Sequence, residues 1–178
     1  MVKPARFIPG RRRKRKARVY RTIRLGLLTV VIIGAGIVLN DARLVEPPGF
    51  LQTDPETVTG AFTHCGRGRG VNCVVDGDTF HIGNRKIRVV GIDTAEKKAR
   101  CPAEATLAAQ STEALLGWLN RGPFQITARI DDPTDRYGRE LRIVKRVGAD
   151  GAEDSLADFM LSQGSARRYL GGTRGGWC

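Results

Sequence analysis

Six charged side chains in this 178-residue chain stand where a hydrophobic core would not place them. Asp76 and Asp78 flank Gly77, Arg88 lies inside the apolar run IRVVGI, Asp93 and Glu96 follow that run, and Arg139 comes later in DRYGRELR. Asp78 and Asp93 each sit where an apolar run meets a turn, so a hairpin folding back between them offers both carboxylates to one hard cation. Oxygen ligands without a histidine suit Ca2+ or Mg2+ rather than zinc. Arginine forks grip phosphate oxygens two at a time and offset the charge of a five-coordinate transition state. A metal there polarises the phosphoryl group, and Glu96 is a carboxylate that can position or deprotonate a water. The set reads as phosphodiester hydrolysis. Plainer roles compete: Asp-Gly is common in turns, and Asp76 is taken as shaping the turn that aims Asp78. Arg88 also fits a solvated strand face, and Arg139 a charged turn.

These residues need elements to hold them. Cys73 to Val75 reads as a short strand, Asp76-Gly77 as a turn, and Thr79 to Ile82 and Arg85 to Ile92 as strands joined by the two-residue loop Gly83-Asn84. Pro102 to Asn120 reads as a helix, with proline suited to its first turn and Ala108, Leu115, Leu116 and Leu119 on one face. Phe124 to Ile130 alternates as a half-buried strand. Leu141, Ile143 and Val147 mark another strand, and a helix capped at Asp154 or Ser155 ends at Gly164. The tail from Ala166 to Cys178 has no assignable pattern. Five short strands with a helix after the third predict a mainly β fold with helices, a small, partly open barrel of the OB type.

The charge lies elsewhere. Residues 1–24 hold eleven of the 30 basic residues and no acid, so the 19 that remain face 18 acidic ones and the body is near neutral. A nucleic-acid reading of the body therefore rests on particular residues, not on the pI. Leu25 to Leu39 is free of charge. A basic stretch followed by an apolar run is the pattern of a signal peptide or signal anchor. As a helix the run spans roughly 23 Å at ~1.5 Å per residue, short of a ~30 Å hydrocarbon core, and Arg24 can snorkel. A retained anchor over residues 25–40 is favoured, because Asn40-Asp41-Ala42 is a poor cleavage site. That places residues 1–24 in the cytoplasm and the body outside it, or in the secreted fraction if the segment is cleaved. Residues 41–63 read as a linker and residues 64–178 as the domain. Cys65, Cys73, Cys101 and Cys178 suit two disulfides in an exported chain, with 65–73 and 101–178 the expected pairs. Zinc lacks a C-x-x-C pair.

VVDGDTF, IRVVGIDTAE and DRYGRELR, in this order and spacing, resemble the thermonuclease (staphylococcal nuclease-like) family, over about Cys73 to Tyr169. The resemblance implies an OB-fold five-stranded barrel with about three helices, here preceded by a membrane helix. It also implies Ca2+ dependence and hydrolysis of DNA and RNA leaving 3′-phosphate ends. By the same resemblance Asp78 and Asp93 supply metal-binding carboxylates and Thr94 a carbonyl ligand. Glu96 activates water, and Arg88 and Arg139 grip phosphate. Arg136 and Tyr137 lie beside the terminal phosphate of the substrate, and Tyr169 lies against a base. Ala95 stands where the family usually has proline, which predicts a looser Glu96. The expected partners are nucleic acid and the membrane, with a monomeric catalytic domain and no protein partner implied. Two rival readings are a non-catalytic OB-type module binding single-stranded nucleic acid, which wants a basic groove with stacking aromatics, and an envelope-interaction scaffold.

Overall fold

Apolar residues at alternate or helical spacing between Val58 and Met160 close around one aromatic centre. Phe62, Phe80, Phe124 and Trp118 are buried with ring centroids about 6 Å apart or less between successive partners, Phe62–Phe80 and Trp118–Phe124 both at 5.8 Å. Val74, Ile87, Ile126, Leu115, Leu156 and Met160 fill the space around them. A computed structural model describes residues 11–40, 46–47, 49–66, 71–131 and 133–178, without the side chains of 11–18 and 35–40. The chain divides into two compact units, residues 1–44 and 45–178.

In the first unit, helix α1 (Arg11–Asn40) joins the basic head and the apolar run in one helix. Leu25, Leu27, Leu28, Val30, Val31, Ile32 and Ile33 are exposed on it. Among the described residues, no helix is long and apolar enough to cross a membrane. Of the expected anchor, the side chains of residues 35–40 lie outside the described residues, as does most of the basic head.

The second unit is mixed α/β. Its strands are β1 (Glu56–Val58), β2 (Thr63–His64), β3 (Asn72–Asp76), β4 (Thr79–Ile82), β5 (Arg85–Val89), β6 (Ile92–Asp93), β7 (Phe124–Thr127), β8 (Glu140–Val147), β9 (Glu153–Ser155) and β10 (Arg167–Arg168). Among its described residues the α-helices are α2 (Pro102–Leu119) and α3 (Leu156–Ser162), and Gly49–Leu51 forms one 3-10 turn. An eight-stranded sheet runs β1-β7-β8-β5-β4-β3-β2, with β9 on β8, and it curls into a half-barrel. The β5–β8 pair is parallel, with Ile87 opposite Glu140 and Val89 opposite Arg142. Helix α2 buries Glu104, Ala108, Ser111, Thr112, Leu115, Trp118 and Leu119, a stripe at i, i+4 and i+7 spacing.

The structure departs from the sequence expectations in several places. The run read as one strand from Arg85 to Ile92 is broken at Gly91, whose φ of +82° only glycine adopts without strain. The break frees β6 to pair with β10, so that Arg167 lies opposite Asp93. Glu56–Val58, expected to be linker, pairs with β7, and the side chain of Asn120 clamps the backbone of Phe62 by hydrogen bonds of 2.8 and 3.0 Å. A three-residue strand with one buried valine is too short to show a period. Among the described residues, two α-helices follow residue 63, where about three were expected.

Candidate active site

The site is built on the turn between β3 and β4. An added Cβ on Gly77 would sit 2.4 Å from Ser111 Oγ and 2.9 Å from Thr94 Oγ1, so only glycine lets this turn pack on α2. The β4–β5 register sets Thr79 opposite Arg88 and brings Asp78 alongside the same guanidinium. Arg88 Nη1 pairs with Asp78 Oδ2, both side chains being only about 5–6% exposed. Arg88 Nη2 donates to the Ile92 carbonyl at 3.3 Å, and Thr79 Oγ1 donates to Asp78 Oδ1 at 2.7 Å. Arg88 is thus a largely buried counter-ion at the edge of the cleft, not a solvated strand arginine, and a phosphate would share it with Asp78.

Asp76 accepts from the Asp78 amide at 3.4 Å, in keeping with its turn role. Burial first, and then the negative charge of Asp78, push its carboxyl up to about 6. An unfolded aspartate titrates near ~3.9. The native state therefore holds the extra proton between those values, and stability falls as pH rises through that window, by up to about 3 kcal/mol. In a chelator, Asp76→Asn is expected to remove this slope and to be the more stable form at pH 7. Urea unfolding at pH 4 and pH 7 checks it, and equal slopes for the two proteins would contradict it.

Asp93 and Thr94 are buried at the end of β6, and Glu96 follows in an exposed irregular segment. Asp93 Oδ2 accepts from Arg167 Nε and Nη2 at 3.1 and 3.0 Å. Asp93 Oδ1 is buried and accepts no hydrogen bond, although Arg174 Nε lies 3.3 Å away. Arg174 Nη1 reaches Glu96 Oε1 at 2.9 Å.

The third wall is the loop before β8. Asp135 receives the amides of Tyr137 and Arg139 at 2.9 Å each and Arg139 Nε at 2.7 Å. Partial burial alone would raise the Asp135 carboxyl; those hydrogen bonds, with the Arg139 charge, outweigh it and hold it below the usual carboxylate range. Both Nη groups of Arg139 are left without a hydrogen bond among the described residues. Arg136 and Arg139 guanidinium carbons lie 4.8 and 5.5 Å from the centre of the exposed Tyr137 ring.

One open cleft gathers Arg88, Glu96, Arg136, Tyr137, Arg139 and Tyr169. Asp78, Asp93 and Thr94 do not line it; all three are buried, and Asp78 and Asp93 connect to it through Arg88 and Arg174. Sequence reasoning missed Lys86, Asp135 and Arg174, which share the cleft. Asp135 had a signal, an acid four residues before Arg139. Arg174 had only an indirect one: a terminal cysteine that pairs must pin the tail carrying it. The structure joins Cys65 to Cys73 and Cys101 to Cys178.

The oxygen-only donor set and the free Oδ1 of Asp93 fit a hard cation such as Ca2+. The fit is not closed, however. Among the described residues, the trios of possible ligand atoms within 4.8 Å of one another are Cys65, Cys73 and His81, and Cys101, Glu104 and Cys178, both built on disulfide sulfurs. Asp78, Asp93 and Glu96 surround guanidinium groups instead. No protein-family model and no curated protein matches the chain.

Proposed function

We propose that the second unit is a Ca2+-dependent phosphodiester hydrolase of the thermonuclease kind, on an OB-type barrel, that cuts DNA, RNA or both. The observation that carries this reading is the cleft in which Glu96 faces Arg139, Tyr137 and Arg88, with Asp78 and Asp93 buried behind. A near-neutral domain has no general attraction for phosphate, so the free Nη groups of Arg139 and its neighbour Arg136 are the natural grip. Glu96 is the one carboxylate of the set that is exposed in the cleft, where it can take a proton from water. The water oxygen bonds to phosphorus as its proton passes to Glu96, the bond to the 5′ oxygen breaks, and that oxygen takes a proton from solvent in the open cleft and leaves as a hydroxyl. A bound Ca2+ would supply positive charge to the phosphoryl oxygens, held by Asp78, Asp93 and the Thr94 carbonyl. The exposed apolar side chains of α1 favour a membrane tether through residues 25–40, and the two disulfides favour an oxidising, extracytoplasmic compartment.

The deciding measurement is cleavage of single-stranded DNA and of RNA by the full-length chain, with CaCl2 or with a chelator. Chelator-sensitive cleavage leaving 3′-phosphate ends is expected. Binding without cleavage would instead support a nucleic-acid-binding module, a reading favoured by the arginines and exposed Tyr137 of the cleft.

Arg139→Ala should cost on the order of 10²–10³-fold in turnover, the loss typical of a transition-state donor. Arg139→Lys should recover only part of it, since an ammonium lacks the planar fork. Single-turnover rates at saturating substrate check this, and a change confined to KM would assign Arg139 to ground-state binding alone.

A further inference from the structure

The segment after α3 returns across the carboxylates and is fastened at its end. Arg167 forks onto Asp93 Oδ2, and its remaining donors hold the carbonyls of Gly175 and Gly176. The Trp177 ring stacks 4.1 Å from the same guanidinium. Arg174 bears on Asp93 Oδ1 and Glu96 together, with its guanidinium carbon 5.3 Å from the centre of the Tyr169 ring. Cys178 then bonds to Cys101, the residue that caps α2. The tail has no regular structure beyond β10 and contains four glycines in its last eight residues. Its position is therefore set by these side-chain contacts and the disulfide.

We propose that this tail is a disulfide-held strap whose Arg174 occupies the place of a cation between Asp93 and Glu96, so that a divalent ion binds there only by displacing it. The proposal rests on the metal-site reading of Asp78 and Asp93. Among the described residues, Asp93 Oδ1 is the one carboxylate oxygen that is both shut off from solvent and without a hydrogen bond. Arg174, which belongs to the strap, lies against it, with Nε 3.3 Å away. An ion approaching Oδ1 meets that guanidinium both as an obstacle and as a like charge. The missing closed trio of acids has the same cause, because the carboxylates are arranged around guanidinium groups. When Arg174 leaves Asp93, its fork is free in the cleft beside Arg139, where a phosphate can take it up.

Calcium titration calorimetry on the full-length chain in detergent tests the strap. Arg174→Gln is expected to tighten Ca2+ binding on the order of 10-fold, within the range of coupling between two linked sites. Arg174→Lys, which keeps the charge, should stay closer to wild type. The Cys101→Ser, Cys178→Ser double variant should also bind more tightly, because its strap end is loose; should it fail to fold, the two Arg174 variants decide the question. Equal or weaker binding by Arg174→Gln overturns the strap while leaving the metal site standing. If wild type, Arg174→Gln and Asp93→Asn all give no binding heat, the metal reading falls and the strap falls with it. Binding by Arg174→Gln alone, absent in wild type, supports both.

Discussion

Glu96→Ala is expected to cut phosphodiester cleavage by about 10²–10⁴-fold, the usual contribution of a positioned general base, with little change in stability. The two halves of that expectation have separate causes. Glu96 is exposed and its described contact is one ion pair with Arg174, itself about one-third exposed. Such surface pairs contribute ~0–1 kcal/mol. The loss must therefore appear in the rate and not in the melt. Glu96→Gln should be nearly as slow, since an amide holds a water without accepting its proton. A drop of less than tenfold in either variant, with the thermal transition unchanged, would leave water activation to another group. Substrate binding under non-cleaving conditions should be retained, or modestly strengthened, because one negative charge has left a cleft that must accept phosphate.

The sequence made the centre of this site legible and left its cover hidden, for physical reasons. Asp78, Arg88, Asp93, Glu96 and Arg139 stand beside runs of apolar residues whose alternation predicts strands, so their places followed from local pattern. The turn at Gly77 and the hairpin at Gly83-Asn84 were legible for the same reason, and β3, β4, β5, β7 and β8 appear within a few residues of where the pattern put them. The short strands β1 and β10 were not, because two or three residues cannot show a period; their partners, β7 and β6, are distant in sequence. Arg167 and Arg174 belong to that second kind. Nothing in SARRYLGGTRGGWC distinguishes an arginine held by a buried carboxylate from one in solvent. The contact is made by a tail that crosses the molecule to meet a cysteine at the start of α2. Asp76 lies between the two cases: its turn role was legible, but the raised carboxyl depends on burial and on the charge of Asp78, which only the folded chain brings together.

Arg88→Ala should destabilise the domain by about 3–5 kcal/mol, the cost of stranding a buried charge, and this is the largest stability effect expected of any site residue. Asp78 is sealed, its Oδ2 is paired with Arg88, and its other oxygen is satisfied by Thr79. Removing the guanidinium leaves a carboxylate with one hydrogen bond and no counter-charge, and also orphans the Ile92 carbonyl that steers the turn into β6. Two further measurements distinguish a stranded charge from lost packing. Asp78→Asn in the Arg88→Ala background should recover part of the loss, because the remaining group is neutral, whereas a packing defect would be indifferent to it. Calcium should stabilise Arg88→Ala more than wild type, since a cation at Asp78 replaces the missing charge and binding to the folded state adds RT ln(1 + [L]/Kd). Urea unfolding with chelator and with CaCl2 reads both. A loss below about 1 kcal/mol in chelator would place the pair among screened surface ion pairs and would remove the reason for treating Arg88 as the buried counter-ion of Asp78.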